Sequence, residues 1–227
     1  MASETVPPAL NKLMTRWRAD GGQAQAGMTW PRERWIERLS GHKAVLEALP
    51  DVLDREPVRR ASDAAMDATR AEVAFVAVMA WGYGGVGYGP YRTWRILTAP
   101  DAGYRLAEAA RRLRDHGAMA AYDCLADGGD CRLRGLGPAF GTKYLFFLPS
   151  NAEPSALILD SLVAAWLKRE TDLDVNPVAW SGETYRSYLD QMHRWAASLG
   201  CAPDELESNV FQAMKNERGG QGVQGIR

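Results

Sequence analysis

The stretch LGPAFGTK, residues 136–143, indicates how this part of the chain folds. Proline is favoured in the first turn of a helix, so Pro138 predicts a helix start, with Lys143 in the first or second turn. Gly137 and Gly141 bracket a predicted hairpin that leads into this helix and points backbone N–H groups outward. Those donors, together with the positive end of the helix dipole, are suited to bind a phosphate.

Lys143 is flanked in the sequence by three phenylalanines, Phe140, Phe146 and Phe147. Near a helix amino terminus and against apolar rings, the neutral amine is favoured over the ammonium, because burial and the dipole both oppose the positive charge. A neutral amine is the condition for a nucleophilic lysine. The same pattern, taken alone, also fits a helix that begins after a Gly-Pro turn and carries one exposed lysine. Both interpretations stay open.

Asp160 lies 17 residues after Lys143 and directly precedes the amphipathic segment SLVAAWLKRE. Aspartate is a preferred N-cap, so we expect a helix from Ser161 to about Glu170. The backbone N–H groups of a cap would also keep the carboxylate ionised. An ionised aspartate facing a neutral lysine suits chemistry that develops positive charge on a substrate carbon. Taken singly, Asp160 is a helix cap.

The rest of the chain also predicts helices. Alanine and leucine are abundant, and alternating runs of β-branched residues are nearly absent. The predicted helices are PRERWIERL from Pro31, a short one containing Leu46 and Leu49, an alanine-rich run after Ser62 that stops after Trp81, and further ones over residues 91–99, 103–115, 118–126, 184–199 and 203–216. The expected fold class is therefore all-α. A little strand near the amino terminus stays open.

Three further segments have expected roles. The glycine-rich stretch WGYGGVGYGP, residues 81–90, is not expected to continue as a helix. Residues 219–227 are expected to form a flexible tail. A stripe of four residues at helical spacing is expected to face the core. The stripe consists of Tyr185, Tyr188, Met192 and Trp195.

The composition is that of a globular protein. The chain has 227 residues, of which 46% are hydrophobic and 24% charged, so it can bury a core and is not a disordered protein. The apolar run that contains Ala74 to Trp81 is far too short to span a membrane. The first residues, MASETVPPAL, contain no secretion signal, so we expect a cytoplasmic protein. We also expect one domain, residues 1–218.

The cysteines, histidines and charges limit the chemistry further. Cys124, Cys131 and Cys201 are too few for a disulfide framework or a four-thiolate iron–sulfur cluster. The three histidines are remote from one another, so no zinc site is expected. Residues 91–149 carry nine basic and six acidic side chains, whereas residues 150–210 carry four basic and ten acidic ones. This asymmetry permits one face that binds an anionic ligand.

The lysine and aspartate segments together resemble the signature of the helix–hairpin–helix DNA glycosylases. In that superfamily a Leu-Pro-Gly-aliphatic-Gly hairpin leads to a catalytic lysine, and an aspartate opens a later helix. The LGPAFGTK stretch and ALILDSL, residues 156–162, match this order, and the Gly-Thr-Lys ending is closest to bacterial 8-oxoguanine DNA glycosylases. The matched stretch runs from about Arg132 to Leu167. The hairpin is one residue longer here, with proline and glycine exchanged, and its first helical arm, residues 130–136, is short.

The resemblance implies a two-lobed helical bundle with the active-site and DNA cleft between the lobes. It makes Lys143 and Asp160 the catalytic residues. The residues that it implies for DNA binding are Gly137, Phe140, Gly141, Tyr83 and Arg92, and those for the base pocket are Phe147 and Trp81. Aromatic rings between glycines can approach DNA closely and fill a vacated base stack. Alternatively, the rings of residues 81–90 anchor a glycine-rich turn to the core.

The implied function is a DNA glycosylase of base excision repair that removes a damaged or modified base, above all an oxidised purine such as 8-oxoguanine. Schiff-base chemistry through Lys143 adds AP-lyase activity. The expected partner is double-stranded DNA with a modified base, bound by a monomer without a membrane. We expect no cofactor and no metal. A monovalent cation held by hairpin carbonyls is common in the superfamily, and whether one is held here stays open. Two alternatives are a non-catalytic helix–hairpin–helix DNA-binding module of a repair or defence system, and a helical interaction protein that binds no nucleic acid.

Overall fold

The computed structural model describes residues 5–223, with the backbone alone for residues 219–223. Within this part of the chain there are eleven α-helices, one 3-10 helix (Ser40–His42) and two short strands, β1 (Met28–Thr29) and β2 (Val52–Leu53). The helices are α1 (Pro8–Ala19), α2 (Arg32–Arg38), α3 (Lys43–Ala48), α4 (Arg55–Ser62), α5 (Ala68–Tyr83), α6 (Gly89–Leu97), α7 (Ala102–Leu125), α8 (Pro138–Phe147), α9 (Ser161–Glu170), α10 (Gly182–Leu199) and α11 (Pro203–Val223). The predicted all-α fold is confirmed.

The two strands form a minimal antiparallel pair. Met28 lies opposite Leu53, and Thr29 lies opposite Val52. This pair is the short strand structure that the sequence leaves open near the amino terminus. Helices α1 and α4 are not predicted from the sequence. Helix α4 has few apolar residues, whereas α1 carries Leu10, Leu13, Met14 and Trp17 at helical spacing, a signal that the prediction misses.

The chain divides into two compact units. The terminal unit contains the chain up to Gln25 together with the chain from Leu157 onward, and the central unit is Ala26–Ala156. In the terminal unit, α11 packs against α1, α9 and α10. All four residues of the predicted core stripe on α10 are at most 3% exposed, which confirms that expectation. Helix α11 continues to Val223, past the expected end near Asn216, and residues 224–227 of the expected tail lie outside the described residues.

Helix α5 is the centre of the central unit. Every residue from Ala74 to Trp81 is buried, and α5 packs against α3, α4, α6, α7 and α8. A helix that is apolar on all sides belongs in a core, where small alanine side chains let several neighbours approach. Among the helices of residues 5–223, none combines the length and apolar character that crossing a membrane requires.

The ends of α5 differ from the prediction. The helix begins at Ala68, not directly after Ser62, because Asp67 caps it by accepting a hydrogen bond from Arg70 N over 2.9 Å. At the other end, α5 continues through Gly82 to Tyr83 before Gly84, with φ of +50°, terminates it. The expectation that the helix stops after Trp81 is therefore wrong by two residues.

Helix α7 joins two predicted helices at Gly117, whose φ of +83° produces a kink. After α7 the chain turns back, and the amide of Cys131 donates to the carbonyl of Cys124 over 2.8 Å. The two cysteines, with Cα atoms 4.9 Å apart, are joined by a disulfide. The sequence predicts no disulfide framework, and the structure corrects this to one bridged pair, because the turn brings two separated cysteines together.

Candidate active site

Lys143 lies in the second turn of α8, as predicted. Its side chain is only 7% exposed, and its Nζ lies 5.4 Å from the centroid of the Phe140 ring. The helix begins at Pro138 with Gly137 as its N-cap, and most of its residues are buried. Because α8 is covered on nearly all sides, its lysine is buried with it. The alternative of an exposed lysine after a Gly-Pro turn is wrong.

Gly82 of α5 makes room for the lysine. A Cβ atom at this position would lie 2.7 Å from Cε1 of Phe140 and 3.2 Å from Cδ of Lys143. Both distances are shorter than ordinary van der Waals contact, so a side chain on Gly82 would displace one or both residues. The sequence prediction misses this role. The signal that could have found it is a glycine that directly follows a buried helical run.

Tyr83, Phe140 and Arg92 form a stack beside Lys143. The rings of Tyr83 and Phe140 are nearly parallel, at 20°, with centroids 4.4 Å apart. The guanidinium carbon of Arg92 lies 5.7 Å from the Phe140 centroid. Burial raises the pKa of the Tyr83 hydroxyl, and the positive charge of Arg92 partly opposes this rise. The structure thus brings three of the predicted DNA-binding residues together around the candidate nucleophile.

Trp81 and Phe147, the predicted base-pocket residues, pack edge to face with centroids 5.0 Å apart. They are 5% and 2% exposed. Phe146 lies beside Phe147 at 4.9 Å, and the guanidinium of Arg55 lies 4.8 Å from the Phe146 centroid. These rings anchor the end of α5 to α8. This packing agrees with the alternative that the aromatic rings of residues 81–90 anchor a glycine-rich turn to the core. A role in the base pocket stays a prediction.

The predicted hairpin between Gly137 and Gly141 is not present in the structure. The amides of Phe140 and Gly141 donate to the carbonyl of Gly137 over 3.2 and 2.9 Å, so residues 138–141 are the first turn of the helix. Pro138 has a preset φ that starts the helix early. The reversal lies earlier, where Gly135 adopts a φ of +93°. Residues 130–136 form turns, not the predicted short helical arm.

Asp160 is the N-cap of α9, as predicted. Its Oδ1 accepts hydrogen bonds from the amides of Leu162 and Val163 over 3.0 and 3.2 Å. The residue is 9% exposed. Two backbone donors fix the orientation of the carboxylate.

Two tyrosines of α10 hold the extended segment that leads to Asp160. Tyr188 donates from its hydroxyl to the carbonyl of Ile158 over 2.7 Å. Tyr185 donates to the carbonyl of Leu157 over 2.9 Å and accepts from the amide of Leu157 over 3.3 Å. The sequence prediction assigns these tyrosines to the core but misses this function. A buried tyrosine hydroxyl requires a polar partner, which is the signal that could have indicated it.

Lys143 belongs to the central unit and Asp160 to the terminal unit, so the pairing of their side chains stays a prediction. The described residues contain no group of three or more His, Cys, Asp or Glu side chains that could hold a metal ion.

Comparison with known proteins supplies the family. Residues 21–211 match the family model described as "Putative 8-oxoguanine DNA glycosylase OGG-like protein". Neither the curated proteins nor the solved structures contain a significant match. The matched range includes Lys143, Asp160 and the Tyr83–Phe140–Arg92 stack, and it spans well over half of the chain. The chain therefore belongs to this OGG-like family.

Proposed function

We propose that this protein is a DNA glycosylase that removes an oxidised purine, such as 8-oxoguanine, from duplex DNA, with Lys143 as its nucleophile. The observation that carries the proposal is the burial of Lys143 on α8, within the residues that match the OGG-like family. Lysine is seldom buried, because its charged form loses hydration in an apolar site. A buried lysine beside an aromatic stack, within the range that matches the family, is therefore our candidate for the chemical role.

The first step is extrusion of the target nucleotide from the duplex, which costs a few kcal/mol. The amino terminus of α8 and the guanidinium of Arg92 provide positive charge that can hold DNA phosphates while the base leaves the stack. The stacked rings of Tyr83 and Phe140 offer an apolar surface beside Lys143. These groups would hold the distorted DNA near the amine.

The second step is attack by the neutral amine of Lys143 on C1′ of the deoxyribose. A bond forms between Nζ and C1′ while the glycosidic bond breaks, and the base leaves with the electron pair of that bond. Loss of a proton from the nitrogen and opening of the sugar ring then give a Schiff base between Lys143 and C1′. Loss of a proton from C2′ expels the 3′ phosphate, which is the lyase reaction.

Asp160 has an electrostatic role in this proposal. Positive charge develops at C1′ as the glycosidic bond lengthens, and a fixed carboxylate stabilises such charge without having to reorganise. The two amides of α9 that bind Oδ1 hold the carboxylate in one orientation. We expect this role to affect the rate of base release more than the affinity for DNA.

The central test is trapping of the Schiff base with borohydride. The native protein should form a covalent adduct with duplex DNA containing 8-oxoguanine, and Lys143→Gln should form none, because an amide nitrogen cannot make the imine. Lys43→Gln on α3 is the matched control, since Lys43 is exposed and its variant should still be trapped. Undiminished trapping of Lys143→Gln would refute the assignment.

Measurements of DNA binding and of base release on the same protein distinguish the enzyme from a non-catalytic DNA-binding module. Both would bind duplex DNA with an affinity that falls as salt rises. Only the enzyme releases a base, so a panel of duplexes that each carry one modified base identifies the substrate. Binding without base release from any member of the panel would favour the module.

A further inference from the structure

Arginine side chains donate hydrogen bonds to the backbone carbonyls of the turn that leads into α8. Arg132 lies within this turn, and its Nη1 donates to the carbonyl of Leu133 and, over 3.2 Å, to that of Leu136. Its Nε donates to Oδ1 of Asp127 over 2.6 Å, which fixes the guanidinium against the turn. The turn therefore closes around a cationic group that belongs to the chain itself.

Two further arginines reach the same turn from neighbouring helices. Arg92 of α6 donates from Nε and Nη2 to the carbonyl of Gly135 over 3.0 and 2.8 Å. Arg105 of α7 donates from Nη1 to the carbonyl of Arg132 over 2.5 Å. The turn thus has guanidinium donors on carbonyls both before and after the reversal at Gly135.

The resemblance to helix–hairpin–helix glycosylases implies a monovalent cation held by hairpin carbonyls. Such a cation needs several carbonyl oxygens that converge on one point. Here Nη1 of Arg132 is bonded to the carbonyls of both Leu133 and Leu136, so these oxygens already converge on a positive group. A second cation at this point would meet strong repulsion at short range. The residues of this turn do not fit a bound monovalent cation.

We propose that the guanidinium group of Arg132 replaces that cation and, with Arg92 bound to the Gly135 carbonyl, holds the turn in its DNA-binding form. The inference rests on the proposed function in one respect, namely that the amino terminus of α8 binds a DNA phosphate. A guanidinium stays protonated at all accessible pH values and, unlike an ion, cannot dissociate from its site. DNA affinity therefore depends on ionic strength through counterion release, but not on which monovalent cation is present.

The first test uses the unmodified protein. Its affinity for duplex DNA containing 8-oxoguanine is measured in potassium, sodium and tetramethylammonium chloride at one ionic strength, with EDTA present. Tetramethylammonium is too large to be held by carbonyl oxygens, yet it screens charge as the other ions do. The dissociation constants should agree within about twofold, since screening depends on ionic strength alone. Clearly tighter binding in potassium or sodium would overturn the proposal.

The second test compares two variants of the same turn. Arg132→Ala removes the guanidinium from the carbonyls, whereas Arg134→Ala removes the same charge from an exposed side chain. The melting temperature of Arg132→Ala should be higher in potassium than in tetramethylammonium chloride, because a cation can now enter the vacated position. That of Arg134→Ala should be the same in both salts. If Arg132→Ala also melts identically in both salts, the guanidinium does not stand at a cation position, and the proposal is refuted.

The two tests separate this inference from the proposed function. The melting temperatures require no DNA, and the salt comparison requires binding but no base release. A protein that binds DNA equally in all three salts and releases no base would contradict the glycosylase proposal and support the replacement of the cation. If Arg132→Ala does not fold, the DNA dissociation constants of the unmodified protein in the three salts decide whether the proposal holds.

Discussion

At the scale of single residues, the surroundings of Lys143 depend on Gly82, which packs against it without a side chain. Gly82 has no Cβ, and an added one would approach Phe140 to 2.7 Å and Lys143 to 3.2 Å. The closer of the two contacts is with the ring that stacks on Tyr83. A small change at Gly82 therefore acts on the candidate nucleophile and on the stack at once.

We predict that Gly82→Ala slows base excision and borohydride trapping. The added methyl group must move Phe140 or Lys143, and overpacking of this kind costs about 1–3 kcal/mol. Alanine recovers about 1 kcal/mol through its higher helix propensity, so the loss of stability should be modest. Single-turnover excision and thermal unfolding measure the two effects separately.

Gly41→Ala is the matched control for this prediction. An added Cβ at Gly41 has no neighbour within 4 Å, and the residue lies outside the glycine-rich stretch, so both excision and stability should be unchanged. Equal rates for Gly82→Ala and the unmodified protein would show that the close packing of α5 on α8 does not position the lysine.

At the scale of elements, helix termini place the functional groups. Helix α8 begins at Pro138 and so puts Lys143 in its second turn, and α9 begins at Ser161 with Asp160 as its cap. In α9 the carboxylate that satisfies the first amides is also the candidate electrostatic group. The tyrosine hydroxyls of α10 fix the extended segment before it.

We predict that Asp160→Asn slows base release strongly while DNA binding and folding are nearly retained. Asparagine is as good an N-cap as aspartate, so the free energy of unfolding should change by less than about 1 kcal/mol. The loss of negative charge, in contrast, removes the stabilisation of a positive sugar. Excision rates, DNA affinity and thermal unfolding are the measurements.

Asp67→Asn provides the same substitution at another cap, since Asp67 caps α5 through Arg70 N. It should match Asp160→Asn in stability but excise at the unmodified rate. Loss of folding in Asp160→Asn alone would show that its role is structural.

At the scale of the whole molecule, each compact unit contains a glutamate held by guanidinium groups. In the terminal unit, Arg169 of α9 donates two hydrogen bonds to Glu217 of α11, over 2.6 and 3.2 Å, and holds the pKa of that carboxyl below its usual 4.5. In the central unit, hydrogen bonds from Arg112 and Arg111 lower the pKa of Glu108. Both pairs are partly exposed.

We predict that acid weakens both units over the same range of pH. A carboxyl whose pKa is lowered by folding adds stability above its unfolded pKa, and this contribution is lost as the pH falls through its folded pKa. Exposed pairs contribute at most about 1 kcal/mol each, or roughly 2–4 °C of melting temperature. Melting temperatures from about pH 6 to about pH 3 should therefore decline, as carboxylates become protonated.

The double variant Glu108→Gln, Glu217→Gln should melt lower at neutral pH and show a shallower decline in acid. Glu37→Gln, which changes an exposed glutamate of α2, should leave the decline unchanged. A decline as steep in the double variant as in the unmodified protein would show that other carboxyls govern acid stability.

Local chemistry explains which parts of the fold are predictable. Pro138 and Asp160 act on the backbone of their own segment, so the starts of α8 and α9 follow from the sequence. The same holds for the break at Gly117 and for the buried stripe of α10. Helix α4 escapes prediction because it has few apolar residues, whereas the helical apolar spacing of α1 is a local signal that the prediction misses.

The sequence by itself determined an all-α chain, the helix that carries Lys143 and the cap at Asp160, because proline, aspartate and apolar spacing act within a few residues. Only the tertiary structure decided that Lys143 is buried, that Gly82 makes room for it, and that arginines donate hydrogen bonds to the carbonyls of the turn before α8. These features join residues distant in the chain, and close packing and guanidinium geometry depend on where whole helices meet.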